Sequence, residues 1–327
     1  IIKFATNDKD AIINFINQIG ANSSKQIFHS SSNLQHIYKL KFNKNIDIFK
    51  VISYCNKSPI VEYSQPNFLN YPCTTKLNDF FYSDQWALRV IDIPSAWKQE
   101  RGKPDIVIAI VDSGVDYNHE DLKERMWINL KEIPENGLDD DGNGYVDDIH
   151  GWNFEDISDV QSKRDLNNDP MDDNGHGTHV AGIIAAIPNN YKGTAGIMWN
   201  CRIMALRCGN RYFEDDDVSS AIVYAADNGA RIINMSWGGD ELSYIVRDAT
   251  KYAYDQGCIM VAAAGNDNRP SIIYPALHKH IIAVGATDKN DRRASFSNYG
   301  PGLDIVAPGY RIMATLPKNS YSDLSGT

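Results

Sequence analysis

Two histidines and three glycines fall within the nine residues Asn174-Gly175-His176-Gly177-Thr178-His179-Val180-Ala181-Gly182. A histidine at the mouth of a helix, flanked by glycines that let backbone come close, suits a general base better than a core side chain. The plainer alternative is a structural histidine hydrogen-bonded at a helix start. A metal pair is disfavoured. The zincin pattern sets histidines four apart around a glutamate, whereas Gly177 and Thr178 stand between His176 and His179. Asp112, in Val111-Asp112-Ser113-Gly114, admits three roles: helix cap, metal ligand or orienter of a histidine. Asn266, which follows Val261-Ala262-Ala263-Ala264-Gly265, can brace a turn or donate to a developing oxyanion.

A second chemistry lies in Asp139-Asp140-Asp141-Gly142-Asn143-Gly144-Tyr145-Val146-Asp147-Asp148. Oxygen-bearing side chains alternate around a glycine turn, as at the start of an EF-hand-type calcium loop. Asp139, Asp141 and Asn143 take its first, third and fifth positions, Gly144 the sixth and Asp147 the ninth. The twelfth position is His150 instead of glutamate, and Asp148 is a further candidate ligand. Carboxylates packed this densely repel one another unless a cation neutralises them. A solvated acidic turn is the alternative.

The elements that must position these groups can be read from periodicity. Residues 1–72 form a small α+β unit. Strands are predicted at Ile1–Ala5, His36–Phe42 and Ile60–Tyr63, with helices at Asp8–Ile19 and Ile46–Cys55. Residues 73–84 are a linker, following Pro66 and Pro72. From residue 85 to 327 strands and helices alternate. Asp105–Val111 is a continuous apolar run, as a strand buried on both faces should be. Helices are predicted at Val180–Ala186, Val218–Asn228 and Leu242–Gln256. Strands are predicted at Ile203–Arg207, Ile232–Met235, Ile259–Ala263, Ile281–Ala286 and Leu303–Val306. The expected fold is α/β, a parallel sheet with helices on both faces. Ligands then sit at the carboxyl ends of the strands, beside Asp112 and Asn266.

Composition narrows the partners. Lys plus Arg number 32 against 42 Asp plus Glu, a net charge of −10, which argues against nucleic acid. No apolar run is long enough to span a membrane. The opening Ile1-Ile2-Lys3-Phe4 turns polar by Thr6, so the chain is expected to be intracellular or already stripped of a secretory signal. Five cysteines are too few and too scattered for a disulfide scaffold. Cys201 and Cys208, about 20 Å apart if one strand joins them, are expected to be buried free thiols.

Asp-Ser-Gly at residues 112–114, Gly-His-Gly-Thr-His-Val-Ala-Gly at 175–182 and Ala-Ala-Gly-Asn at 263–266 occur in that order, each at a strand end or helix start. Together they resemble the subtilisin-like serine proteases, the subtilases. Ile233-Asn234-Met235-Ser236-Trp237-Gly238-Gly239, Ala294-Ser295-Phe296-Ser297-Asn298-Tyr299-Gly300 and Ile305-Val306-Ala307-Pro308-Gly309 extend the resemblance from about residue 78 onward. The resemblance implies that Asp112 holds and stabilises the imidazolium, that His176 is general base and then general acid, and that Asn266 donates to the oxyanion. His179 becomes the motif's structural histidine. Ser236, Trp237 and Gly238 offer backbone to an extended peptide or protein substrate. Asp79, Asp121 and Asn190 match ligands of a structural calcium.

The resemblance also implies that residues 1–72 are a propeptide that templates folding and inhibits the protease intramolecularly, with a cut between Tyr71 and Asn78. The expected protein is a secreted, monomeric, calcium-stabilised proenzyme. The family's serine lies in a Gly-Thr-Ser-Met-Ala-like segment, and the sequence closes Leu324-Ser325-Gly326-Thr327. Ser325 precedes the Gly-Thr pair and is no substitute. Residues 1–327 alone are therefore expected to be inactive, the active protein continuing with serine. The alternatives are a non-catalytic pseudoprotease or binding fragment, and a metal-dependent hydrolase. Glu214, Asp215, Asp216, Asp217 and Asp267 either favour basic substrate side chains or belong to an ordinary solvated loop.

Overall fold

A computed structural model describes residues 1–28, 34–43, 46–68, 77–155 and 166–327. The chain divides into two compact units, Ile1–Thr74 and Thr75–Thr327. The predicted cut between Tyr71 and Asn78, with most of the linker's first residues, lies largely outside the described residues.

In the first unit, β1 (Ile2–Phe4) pairs antiparallel with β3 (Ile37–Lys41) and β4 (Val61–Ser64), and β2 (Ser23–Gln26) forms the outer edge. Asp8 caps α1 (Lys9–Gln18) by accepting from the Asp10 and Ala11 amides, and Asp47 caps α2 (Ile48–Cys55) in the same way. Ile2, Phe4 and Val61 of the sheet bury against Ile12, Phe15 and Ile16 of α1 and Cys55 of α2. Both helices thus cover one face. β2 was not expected: Ser-Ser-Lys-Gln has no apolar alternation, and its residues are held by backbone pairing to β3.

The second unit opens with two short helices, α3 (Trp86–Val90) and α4 (Ile93–Ala96). Its sheet is built from β5 (Val107–Asp112), β6 (Gly151–Asn153), β7 (Arg202–Arg207), β8 (Ile232–Met235), β9 (Ile259–Ala263), β10 (Ile281–Thr287) and β11 (Ile305–Pro308). The order is β11-β10-β9-β8-β5-β7-β6, and every pairing is parallel. Helices α5 (His176–Ala185), α6 (Asp215–Asp227) and α7 (Tyr244–Asp255) pack on it, and β12 (Ile312–Leu316) and β13 (Ser320–Leu324) make a separate hairpin.

Alternate residues of β5 explain its unbroken apolar run. Ala109 and Val111 join α6 and α7 in one core, while Ile108 and Ile110 join Ala181 and Ala185 of α5 in another. Both faces are covered, so neither tolerates polar side chains. Cys201 and Cys208 are buried free thiols, as expected. Among the described residues, no helix is long and apolar enough to cross a membrane.

The chain leaves β5 toward β6 and β7, then returns on β5's other side to β8. The crevice at such a reversal opens at the carboxyl ends of the strands. Asp112 ends β5, Ser236 follows β8, and Asn266 lies just beyond β9.

Candidate active site

The Asp112 carboxylate is fully buried. Its Oδ1 accepts from the Ser113 amide at 2.7 Å and meets His176 Nδ1 at 2.7 Å. The imidazole side chain is 45% exposed, so one edge is anchored and the other is open. The hydrogen bond with Asp112 raises the His176 pKa above the ordinary imidazole value, outweighing desolvation.

His176 is the first residue of α5, four residues earlier than the helix start predicted from periodicity. The start is specified by capping. Asp172, which sequence reasoning missed, accepts from the Asn174 and Gly175 amides on Oδ1 and from the Thr178 amide and hydroxyl on Oδ2. The signal was present in Asp172-Asp173-Asn174-Gly175, since short acceptor side chains before a helix satisfy its free amides. Ser113 clamps the two segments together: its hydroxyl donates to Asp172 Oδ1 at 3.0 Å and accepts from the Gly177 amide at 3.0 Å. A Cβ on Gly177 would fall 2.1 Å from the Gly114 carbonyl oxygen, so this approach requires glycine.

His179 points elsewhere. Its Nε2 lies 2.9 Å from the Ile312 carbonyl and 3.2 Å from that of Ser322, tying α5 to the β12–β13 hairpin. Burial lowers its pKa, which fits a structural, neutral ring.

Ser236, Trp237, Gly238 and Asn266 line one cavity of about 620 Å³. Trp237 Nε1 donates to the Val111 carbonyl at 2.9 Å, fixing this wall beside Asp112. Ser236 also borders a second cavity of about 500 Å³, whose lining includes His176 and Thr327. Asn266 Oδ1 accepts from the Thr327 amide at 3.0 Å. Of the carboxylates considered for substrate selection, Asp215 and Asp267 line this same 620 Å³ cavity. Asp215–Asp217 form the first turn of α6, where the helix dipole favours them. Asp267 pairs with Arg269 at 3.3 Å, and Arg269 also pairs with Asp240.

Of the predicted cation ligands, Asp139 and Asp141 converge with Glu132, their nearest carboxylate oxygens lying within 4.8 Å of one another. Glu132, a buried residue that sequence reasoning missed, accepts from the Asp140, Asp141 and Asp147 amides. Asn143 donates from its side chain to Asp148 at 3.0 Å. Asp148 also accepts from Asn129 and Tyr224, while Asp147 accepts from the Asn136 and Gly137 amides. Elsewhere, Asp79 accepts from the Asn189 and Asn190 amides, and Asn190 Nδ2 donates to Asp121 Oδ1 at 2.5 Å. Burial, with Asp121 beside it, raises the Asp79 pKa.

A family model described as the subtilase family matches residues 103–327. The thermophilic serine proteinase of Bacillus sp. strain AK1 is 38% identical over 293 residues, 88% of this chain and 65% of the relative. Thermitase from Thermoactinomyces vulgaris is 36% identical, with 77% of this chain and 80% of thermitase covered. The halolysin-like extracellular serine protease Nep of Natrialba magadii is also 36% identical, but the match spans 82% of this chain and 45% of Nep. A solved protease structure from Pseudoalteromonas arctica superposes with a TM-score of 0.65 at 26% identity, covering 77% of this chain and 82% of that one.

The contact between Gly177 and Gly114 makes a stability prediction. Gly177→Ala must push α5 away from the end of β5. Overpacking of this kind costs about 1–3 kcal/mol, which for a domain of this size lowers the melting temperature by roughly 2–12 °C. Calorimetry on the full chain checks it; an unchanged melting temperature would show that the approach is slack.

Proposed function

The chain belongs to the subtilase family, and from that premise we propose that it is the proenzyme of a secreted serine endopeptidase acting through an acyl-enzyme. The observation that carries this reading is the 2.7 Å contact between His176 Nδ1 and a fully buried Asp112, which leaves the ring's other edge open. Asp112 Oδ2 is buried without a hydrogen-bond partner among the described residues. A carboxylate so placed gains from an imidazolium beside it. In the proposed mechanism, His176 Nε2 takes the proton of the attacking hydroxyl and later delivers it to the leaving amine. Asp112 fixes the tautomer, with the proton on Nδ1, and stabilises the positive ring.

The nucleophile is proposed to be a serine following Thr327. Support comes from the shared cavity of His176 and Thr327 and from the hydrogen bond of the Thr327 amide to Asn266. The Asn266 amide nitrogen is then available to the oxyanion, and Ser236–Gly238 to the extended substrate backbone. In a chain continuing with that serine, a fluorophosphonate probe should label the new residue. Asp112→Asn should cut kcat about 10⁴-fold by favouring the wrong tautomer. Absence of labelling would favour a non-catalytic binding protein.

Calcium is the proposed structural cation. The three converging carboxylates Glu132, Asp139 and Asp141 have their charge met by backbone amides and by Lys131, whose Nζ is 3.9 Å from Asp141. Such a hard, oxygen-only set suits calcium, with Asn143, Asp147 and Asp148 supporting the loop. Asp79, Asp121 and Asn190 form the second candidate set. A bound cation would add its charge to that of Lys131 beside the first set. A chelator should lower the melting temperature, and added calcium restore it; a melting curve indifferent to both would refute the assignment.

Residues 1–72 are proposed to be the inhibitory propeptide, a reading supported by their own capped helices and core. Added to the mature enzyme, that segment should slow peptide hydrolysis at micromolar concentration or below. Unchanged hydrolysis would identify it as an unrelated accessory domain.

A further inference from the structure

Arg207 is the largest fully buried side chain among the described residues, 1% exposed. It ends β7, in register with Asp112 on the neighbouring strand. Its Nε and Nη2 donate to Glu155 Oε2 at 2.9 and 2.7 Å. Nη1 reaches the Met171 carbonyl at 2.8 Å, Asp173 Oδ1 at 2.9 Å and the Ser113 carbonyl at 3.3 Å. Ser113 adjoins Asp112, and Met171 and Asp173 flank Asp172, which accepts from the Thr178 amide in the first turn of α5. One planar cation therefore spans the two segments that must meet for Asp112 to touch His176. Its forked donors fix direction as well as charge, which a lysine ammonium does not.

We propose that Arg207 is a positioning residue for the proton-transfer pair, setting the separation between the end of β5 and the start of α5. The proposal rests on the reading of Asp112 as the orienting carboxylate and His176 as the base. A competing role is charge compensation of Glu155, a buried carboxylate whose ion-pair partner among the described residues is Arg207. A double variant that removes both charges separates the two roles.

The test uses the full chain continuing through its serine, with active sites counted by the fluorophosphonate probe. Wild type, Arg207→Lys and the double variant Glu155→Gln/Arg207→Met are compared in kcat per labelled site, KM and the pH profile. The charged groups facing His176 are Asp112 from β5 and Asp172 from the loop before α5, with His179 on its own helix. Both variants should lose about 10- to 100-fold in kcat per labelled site, with KM little changed.

The acid limb of the profile should also move to lower pH. Asp112 raises the His176 pKa through their hydrogen bond; a looser bond lowers it, so the base becomes neutral at lower pH. Simple destabilisation would reduce the number of labelled sites without moving the limb. Wild-type kcat per site and a wild-type limb in the double variant would overturn the proposal, because Arg207 would then only compensate Glu155. A wild type that neither labels nor hydrolyses would instead overturn the underlying assignment, and the proposal with it.

Discussion

The 2.7 Å bond between His176 and Asp112 joins residues 64 positions apart in sequence. Nothing local brings them together. Chain entropy opposes so distant a contact, so the fold around it must hold the two residues in place. Three features answer this. Glycine at 177 and 114 lets backbone touch backbone. Asn174, Ser113 and Asp172 accept in turn from the His176, Gly177 and Thr178 amides and so fix where α5 begins. Ser113 links the two segments through its hydroxyl. Each acts on the separation of a strand end and a helix start, which sets the length of the bond.

The sheet supplies the rigid frame for that separation. Ile108, Ala109, Ile110 and Val111 are each 3% exposed or less, and burying side chains of the Val/Ile size is worth about 1.5–3 kcal/mol each. β5 is therefore anchored from both faces, and Asp112 is its last residue. Ser236 and Asn266 extend from β8 and β9 on the same side of the reversal in strand order. Ser236, Asn266 and the Asp112–His176 pair thus share one edge of one sheet. A small shift of one strand would change the spacing between the groups at that edge.

Much of this frame was legible in the sequence because burial leaves a pattern. The runs at β5, β8 and β9 are apolar where both faces are covered, and their predicted ends agree with the structure within two residues. Periodicity starts α5 four residues late, since glycines at 175 and 177 give no helical signal and acceptor side chains ahead of the helix define its start instead. β2 and β6 are short edge strands, and the β12–β13 hairpin mixes polar and apolar residues. Asp112, His176 and Asn266 stood out through motif spacing. Glu132, Asp172 and Arg207 did not, because each works through partners distant in sequence or through backbone amides. Periodicity cannot register that kind of partnership.

The acidic insertion is mechanically continuous with this frame. Asp148 closes the loop by accepting from Asn129 and Asn143, and it also accepts from Tyr224 on α6. All three donors are neutral, and burial raises the Asp148 pKa. The carboxylate is thus held by geometry, without a cationic partner among these contacts. Tyr145 packs edge-on against Tyr224, Trp152 and Phe154, extending the same contact into the core. The first turn of α6, in turn, contributes Asp215 to the wall of the 620 Å³ cavity. Disorder in residues 139–148 would therefore loosen α6 and one wall of that cavity. Such loosening would be felt first there, since Asp112 and His176 are held by separate contacts on the other face of the sheet.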